Sequence, residues 1–389
     1  MSESKQGARA EHGGMIIDAD YPGGNIRVES INGDVVRLHP DLRDTTTWWF
    51  YWNFRVRGAA GRTLTFVFSG QNPIGVRGPA VSADAGKSWA WLGADSMNEG
   101  SFRYAIAPGR DEVRFAFTYP YLESDLRRFL DRCPGAGHIE NAELCVSRAG
   151  RRVECLQTGP RGKGVRGRVA LFCRHHACEA MASFVLEGVL EAAVSDTRDG
   201  RWLRRNVAML AVPFVDKDGV EQGDQGKNRA PHDHNRDYAG ESIYPEVRAI
   251  RELAPRWSEG ALTLGLDLHC PWIRGGAGAP GDNEQVFFVG GPNQVSWARV
   301  QVFASMLEAG QRGPMVYSPR HDIPHGVSWN TSSGTCGQWL ASLEGSPAAA
   351  SLEIPYANAG GTAVTPETAR RFGHDLARAI RQYLEEKAG

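Results

Sequence analysis

Three residues in two distant parts of the sequence have the side chains of a hydrolytic metal site. His176 and Glu179 stand three residues apart at the start of a predicted helix, where their side chains share one face. His269 comes much later, directly after the apolar run Leu262–Leu268. Catalytic zinc sites often use two histidines and one glutamate and leave a position open for water. These residues therefore predict a metal site. The alternative is that His176 is only a residue at the start of a helix and His269 a core histidine with satisfied hydrogen bonds.

The segment 226–238 is rich in side chains that suit an anionic ligand. It contains the pair Asn235 and Arg236. A guanidinium binds a carboxylate through two parallel hydrogen bonds, and a neighbouring asparagine can add a third. Taken alone, the segment favours the alternative of a solvated polar loop, with His232 and His234 as rival metal ligands.

Glu353 lies inside the apolar, strand-like run Ser351–Tyr356. An acid in such a run is either the partner of a buried cation or a base with a raised pKa. Beside a metal-activated water, a carboxylate can take a proton and pass it to a leaving amine.

Alternating strands and helices are predicted to position these residues. The predicted strands are Arg168–Cys173, Asn206–Val215 and Leu262–Leu268. The predicted helices are about Ala177–Ala193, Ser242–Leu253, Gln294–Ala309 and Pro366–Lys387. This α/β pattern indicates a mixed, mostly parallel central sheet with helices on both faces, whose functional side chains gather at the carboxyl ends of strands.

The first 120 residues have a different pattern, of short aromatic and β-branched runs broken by turn residues. This pattern predicts an antiparallel β-sandwich. We expect a poorly ordered N-terminus over residues 1–14, a β-sandwich domain over 15–120 and an α/β domain over 121–389. The sandwich is either a recognition module or a wall of the cleft. Its tryptophans are expected in a core or an interface; they are Trp48, Trp49, Trp52, Trp89 and Trp91.

The composition excludes several classes of protein. The 389 residues include 44 Lys plus Arg and 45 Asp plus Glu, a balance that disfavours a nucleic-acid-binding protein. No apolar run approaches the roughly 18 residues of a membrane span, and the start has no apolar stretch of a secretory signal. Seven scattered cysteines predict reduced thiols in a cytoplasmic protein.

In order, these motifs resemble those of the zinc metallocarboxypeptidase family, most closely its cytosolic carboxypeptidase branch. The matching elements are an H-x-x-E motif, an Asn-Arg pair, a strand-end histidine and a glutamate in a late strand. The branch also has a β-sandwich before the catalytic domain, with an end similar to Tyr119-Pro120-Tyr121. The resemblance covers nearly the whole chain from about residue 15.

The resemblance implies one Zn²⁺ per chain, bound by His176, Glu179 and His269. It also implies that Asn235 and Arg236 hold the C-terminal carboxylate of a peptide. Glu353 would act as general base toward the zinc-bound water, then as general acid toward the departing amine.

Two further roles follow less directly from the resemblance. The arginine that polarises the scissile carbonyl in this branch falls by its spacing on Gly226, so we assign that role to Arg229, with Lys227 in reserve. Gly337 falls at the base of the pocket for the terminal side chain, and its lack of charge predicts no acidic pocket for Lys or Arg termini. Arg274 would favour an acidic terminal side chain, or it is a solvated loop residue.

The leading hypothesis is a zinc-dependent metallocarboxypeptidase that removes C-terminal residues from peptides or protein tails. One alternative is a zinc-dependent amidase or deacylase that acts on a small N-acyl amino acid. Another is a non-catalytic peptide-binding protein with a residual metal site. No nucleic-acid or membrane partner is expected.

Overall fold

Alternation of buried and exposed side chains builds the N-terminal region. In Thr63–Phe68, the side chains of Leu64, Phe66 and Phe68 are buried and the residues between them are more exposed. This period of two is that of a strand with one face on a core. The computed structural model describes residues 9–45, 48–162, 164–275 and 281–386. Its N-terminal strands are β1 (Arg9–His12), β2 (Met15–Asp18), β3 (Arg27–Asn32), β4 (Val35–His39), β5 (Asn53–Arg57), β6 (Thr63–Phe68), β7 (Ala80–Ser82), β8 (Ala90–Trp91), β9 (Met97–Asn98), β10 (Ser101–Ala105) and β11 (Glu112–Ala116).

These strands form two sheets that face each other across an aromatic core. One sheet has the order β1-β2-β5-β11-β7-β8 and is antiparallel; the other has the order β3-β4-β6-β10-β9, with β4 and β6 parallel. Between them, the rings of Phe66 and Phe102 stack at 4.8 Å, and the ring of Phe115 lies 5.0 Å from that of Phe66. The structure therefore contains the predicted sandwich.

The N-terminus differs from the expectation of poor order over residues 1–14. The strand Arg9–His12 pairs with Met15–Asp18 as an antiparallel hairpin, because Met15 and Ile17 bury their side chains in the sandwich core. Residues 1–8 lie outside the described residues.

The second region is built on a seven-stranded sheet of order β12-β13-β15-β14-β16-β18-β17. Its strands are β12 (Glu140–Val146), β13 (Arg152–Thr158), β14 (Gly167–Cys173), β15 (Val207–Val212), β16 (Leu262–His269), β17 (Phe287–Gly290) and β18 (Ala348–Glu353). The centre, β15-β14-β16-β18, is parallel, and the strands at both edges are antiparallel. A small hairpin, β19 (Asn358–Ala359) and β20 (Thr362–Ala363), follows.

Helices cover both faces of this sheet, as predicted. They are α1 (Glu123–Arg132), α2 (Ala180–Val194), α3 (Arg198–Asn206), α4 (Lys217–Gln222), α5 (Pro245–Ser258), α6 (Gln294–Gly310), α7 (Cys336–Ser342) and α8 (Pro366–Glu386). Along β14, Val169 and Leu171 belong to the hydrophobic cluster that includes α2, α6 and α8, whereas Ala170 and Phe172 belong to the cluster of α5 and α7. The strand is therefore buried on two sides, which explains its unbroken apolar sequence.

The parallel centre of the sheet brings the functional segments to one edge. The strand β14 ends at Cys173, just before His175 and His176, and β16 ends at His269. In the ladder between β16 and β18, His269 is the partner of Glu353. Residues far apart in the sequence thus become neighbours at the carboxyl ends of adjacent strands.

Two predictions from composition can be compared with the structure. All seven cysteines have free thiols, as expected. Among the described helices, none combines the length and apolar character needed to span a bilayer.

Candidate metal centre and active-site cleft

The loop after β14 carries the H-x-x-E motif. The prediction of a helix from about Ala177 is wrong by one turn, because α2 begins at Ala180 and Glu179 is its N-cap residue. His176 and Glu179 therefore share a tight turn instead of a helical face, with Glu179 N donating to His176 O at 3.3 Å. Arg174, in a left-handed conformation with φ of 63°, fixes this turn by donating through Nε to Ala177 O at 3.0 Å.

Glu179 lies between two imidazoles. Its Oε1 is 2.9 Å from His176 Nδ1, and its Oε2 is 2.8 Å from His269 Nδ1. The three residues are buried, and one ligand atom from each lies within 4.8 Å of the others. The structure thus brings together the three residues that the sequence picks out as metal ligands.

A carboxylate stands behind each imidazole. His269 Nε2 lies 2.6 Å from Asp267 Oδ2, and His176 Nε2 lies 3.6 Å from Asp233 Oδ1. Metal-binding histidines usually donate their second ring N–H to such a carboxylate, which orients the other nitrogen toward the ion. Two imidazole nitrogens and one carboxylate also form a donor set that zinc accepts. The residues present therefore fit a divalent metal.

Charge in the cluster favours an ionised glutamate. Burial raises the pKa of the Glu179 carboxyl, but the Lys227 ammonium and the imidazoles of His176 and His269 outweigh it, so that its pKa lies well below the ordinary value. A deprotonated carboxylate is the form that binds a metal ion.

Sequence reasoning missed both supporting carboxylates. Asp267 lies in the buried strand β16, two residues before His269, and Asp233 lies in the polar segment 226–238, two residues before Asn235. An acid inside an apolar run was the feature that pointed to Glu353, and the same feature is present at Asp267.

The rival histidines lie outside the cluster. His232 Nε2 is 2.7 Å from Asp237 Oδ1, and the ring of His234 stacks on Tyr244 at 3.6 Å. Both side chains are therefore engaged on the far side of the segment.

Arg229 does not reach the cleft, which corrects its assignment as the carbonyl-polarising residue. Its guanidinium forms ion pairs with three carboxylates, at 2.7 Å to Asp44, 3.0 Å to Asp216 and 2.8 Å to Asp224. Asp44 comes from a distant part of the chain, and Asp216 and Asp224 lie 13 and 5 residues before Arg229, outside the segment 226–238. The spacing within that segment therefore did not reveal the direction of the side chain.

Lys227, the second choice for the carbonyl-polarising residue, lies next to the metal-ligand cluster. Its Nζ lies 2.7 Å from Glu179 Oε1 and donates to Cys270 O at 2.8 Å. The ammonium also lies 5.7 Å from the ring centre of Trp272. Burial lowers the pKa of Lys227, but Glu179 and other nearby acidic groups outweigh it and raise the pKa above the ordinary value, so that the side chain is a cation.

Asn235 and Arg236 lie in a 3₁₀ turn, His234–Arg236, beside the metal-ligand cluster. Asn235 Nδ2 is 3.2 Å from His269 Nε2, and its Oδ1 accepts from Cys336 N at 2.9 Å. Arg236 is half-buried and lines the cleft. Within the described residues, its guanidinium has neither a hydrogen bond nor an ion pair within 4.0 Å, so its donors are available to a ligand.

Glu353 ends β18 and lines the same cleft. It is buried, and its Oε2 atom has no hydrogen-bond partner among the described residues. Burial raises the pKa of the Glu353 carboxyl, and the nearby His269 and Lys227 only partly oppose that shift. A buried acid without a partner, next to a metal-ligand cluster, is suited to proton transfer.

The cleft has a volume of about 260 Å³ and includes a floor of small, uncharged residues. Val289 and Ser351 are ladder partners in this floor. A Cβ on Gly337 would lie 3.1 Å from Ser351 N and 3.3 Å from Ser351 Oγ, which places Gly337 against the same spot. Arg274 is not among the described residues that line the cleft; its guanidinium donates instead to Asn72 O of the sandwich.

Comparison with known proteins agrees with this arrangement. Residues 17–118 match the family described as "Cytosolic carboxypeptidase N-terminal domain". Cytosolic carboxypeptidase 6 of Caenorhabditis elegans is 24% identical over 287 residues, which cover 66% of this chain and 62% of that protein. The chain is a relative of the cytosolic carboxypeptidases.

Other relatives share shorter stretches. Cytosolic carboxypeptidase 2 of Xenopus tropicalis is 29% identical over 175 residues, covering 42% of this chain and 18% of that protein. The present chain thus spans less than two thirds of the length of these curated proteins.

Solved structures show the same fold over nearly the whole chain. A metallo-carboxypeptidase from Pseudomonas aeruginosa, in complex with (2-guanidinoethylmercapto)succinic acid, has a TM-score of 0.78 at 22% identity, over 95% of this chain and 99% of that one. A metallo-carboxypeptidase from Burkholderia cenocepacia has a TM-score of 0.76 at 20% identity, over 96% and 99%. At these identities the likeness establishes the fold of this carboxypeptidase relative.

Proposed function

We propose that this protein is a zinc-dependent metallocarboxypeptidase that removes residues from the C-terminus of peptides or protein tails. The observation that supports it most is the guanidinium of Arg236, which has no ion pair among the described residues and lines the same cleft as Glu353, His176 and His269. The proposal includes residues 15–120 as the sandwich domain, residues 121–389 as the catalytic domain, and a cytoplasmic location.

Arg236 and Asn235 bind the end of the substrate. The planar guanidinium of Arg236 takes the terminal carboxylate through two parallel hydrogen bonds. The amide nitrogen of Asn235 has two N–H groups, which can donate to the same carboxylate. This anchors the last peptide bond next to the cluster.

The cluster residues His176, Glu179 and His269 hold one zinc ion. Bound zinc would supply a Lewis acid and lower the pKa of a water molecule to about 7. Asp233 and Asp267 fix the orientation of the two imidazoles from behind. Metal binding therefore depends on five side chains, from the loop after β14, the segment 226–238 and the strand β16.

Glu353 and Lys227 handle the proton and the developing charge. Glu353 takes the proton of the attacking water and delivers it to the departing amine nitrogen, so that one carboxyl serves as base and then as acid. The Lys227 ammonium donates to the scissile carbonyl oxygen as that oxygen becomes negative. Lysine thus takes the role that the family gives to an arginine.

The terminal side chain enters the part of the cleft floored by Val289, Gly337 and Ser351. This floor provides neither a carboxylate for Lys or Arg nor a cation for Asp or Glu. We therefore expect peptides that end in an uncharged residue to be the best substrates.

The test is digestion of a peptide library, varied at the C-terminal residue, by the zinc-loaded full chain, with mass spectrometry as the measurement. Loss of single C-terminal residues that stops on adding a chelator is the expected result. C-terminally amidated copies of the same peptides serve as the control and should survive. Cleavage of amidated and free peptides at equal rates would support the deacylase alternative, and no cleavage of any peptide would support a binding protein.

A further inference from the structure

The segment 223–229 lies between the sandwich and the metal-ligand loop. It contains Lys227, whose ammonium contacts Glu179, and Arg229, whose guanidinium does not reach the cleft. Each side of this segment has its own set of contacts, and together they connect the N-terminal region to the active site.

On the sandwich side, three residues hold the segment. The Asp44 carboxylate lies 2.7 Å from Arg229 Nε, and Thr45 Oγ1 donates to Asn228 O at 3.0 Å. Asn25 Nδ2 donates to Gly223 O at 2.8 Å. These contacts fix both ends of the segment to the N-terminal region.

Gln225 connects the two sides directly and is fully buried. Its Oε1 accepts from Phe50 N at 2.6 Å, and its Nε2 donates to Trp48 O at 3.1 Å, both in the sandwich. Its backbone oxygen accepts from Cys178 N at 3.0 Å, inside the metal-ligand loop. One residue therefore joins the sandwich to the turn that presents His176 and Glu179.

Gly226 packs against the metal-ligand loop, on the catalytic side of the segment. It has a φ of 78°, and a Cβ there would lie 2.4 Å from Ala177 N. Only glycine allows the backbone before Lys227 to approach the metal-ligand loop this closely.

We propose that the sandwich positions the active site through this segment, with Asp44 and Arg229 as positioning residues for Lys227. The role of Lys227 in turnover rests on the proposed function, whereas the contacts that join the sandwich to the metal-ligand loop do not depend on it. The sandwich is then a component of the catalytic centre and more than a wall or a separate recognition module.

The experiment is a double-mutant cycle in the zinc-loaded full chain. Asp44→Ala is expected to lower kcat about tenfold with KM changed less than about twofold, because a small displacement of a group that acts in the transition state reduces rate more than binding. In a Lys227→Met background the same substitution should change kcat by less than about twofold. Equal effects in both backgrounds, or no effect in the wild type, would overturn the proposal.

A matched control and a second measurement separate this proposal from the proposed function. Asp34 pairs with Arg62 at 2.8 Å elsewhere in the sandwich, so that Asp34→Ala should leave kcat unchanged. Hydrogen exchange should show faster exchange of the Cys178 amide in Asp44→Ala and in the milder Thr45→Val, and not in Asp34→Ala. If the wild type cleaves no peptide, the proposed function is wrong, but hydrogen exchange still tests whether the sandwich positions the metal-ligand loop. Unchanged exchange of the Cys178 amide in both Asp44→Ala and Thr45→Val would contradict that positioning.

Discussion

Arg229 and Arg236 belong to the same loop and have opposite surroundings. Three carboxylates neutralise Arg229, whereas the guanidinium of Arg236 has no partner among the described residues and lines the cleft. Removal of one partner from such a network of ion pairs destabilises a fold, whereas a cation without a partner in a cleft is available to a ligand. The comparison teaches that the residue type alone does not assign the role; the carboxylates around it do.

Substitutions at these two sites should therefore have different effects on activity and on stability. Substitutions in the cleft should reduce activity and leave the free energy of unfolding nearly unchanged. Substitutions in the Arg229 cluster, which consists of Arg229, Asp44, Asp216 and Asp224, should reduce the free energy of unfolding and cause only the smaller loss of kcat that the positioning of Lys227 implies.

The largest expected effect is that of Glu353→Gln in the cleft. Turnover should fall by about 10² to 10⁴-fold, because the amide cannot accept the proton of the attacking water. Metal content, measured by elemental analysis, and the midpoint of thermal unfolding should stay within error of the wild type. Turnover above a tenth of the wild-type rate would remove Glu353 from the mechanism.

In the Arg229 cluster, Arg229→Met should lower the free energy of unfolding by about 3 to 5 kcal/mol, since it leaves Asp216 buried without its arginine, whereas Asp224 keeps its ion pair with Arg43. Urea denaturation measures this change. Arg229→Lys, which retains the charge, is the matched control and should lose less. A stability loss below about 1 kcal/mol for the methionine variant would show that the ion pairs are dispensable.

Arg236→Met is the counterpart in the cleft. We expect kcat/KM for peptides with a free carboxylate to fall about 10²-fold, the effect of losing a charge-assisted pair of hydrogen bonds. The unfolding midpoint should not fall, because no carboxylate of the described residues lies within 4.0 Å of the Arg236 guanidinium. Urea denaturation of Arg236→Met and Arg229→Met side by side tests whether only the second arginine contributes to stability. Equal losses of unfolding free energy in the two variants would contradict this.

The smallest effect is a pH dependence at the edge of the Arg229 cluster. Burial, together with Asp216 and Asp218, raises the pKa of Glu246 from 4.5 to about 7. The folded state therefore favours the protonated carboxyl, so that this contribution to stability is complete below pH 4.5 and is lost as the pH rises through about 7.

Glu246→Gln should remove that contribution, which we expect to be about 1 to 3 kcal/mol between pH 5 and pH 8. The measurement is the difference in unfolding free energy between wild type and variant at several pH values. A difference that does not vary with pH would show that Glu246 titrates normally in the folded protein.

The ends of strands are visible in the sequence as the ends of apolar runs, and these ends point to several residues of the cleft and the metal-ligand cluster. His176, Glu179, His269 and Glu353 each follow or end such a run, and parallel pairing brings those ends together. The two-sided burial of β14 likewise follows from its continuous apolar residues.

The residues that escaped prediction depend on contacts distant in the sequence. Asp44 lies in the sandwich and meets Arg229 only in the folded chain, so that no spacing rule could exclude Arg229 from the cleft. The strands Glu140–Val146 and Arg152–Thr158 were missed because many of their residues are charged or polar; the first of them is an edge strand with an exposed pattern.

The most direct test is a crystal structure of the zinc-loaded Glu353→Gln protein with an uncleaved peptide. We expect one metal ion bound by His176, Glu179 and His269, and the peptide carboxylate on Arg236, with Arg229 still paired with its three carboxylates. A metal ion bound elsewhere, or a peptide whose carboxylate lies away from Arg236, would contradict it.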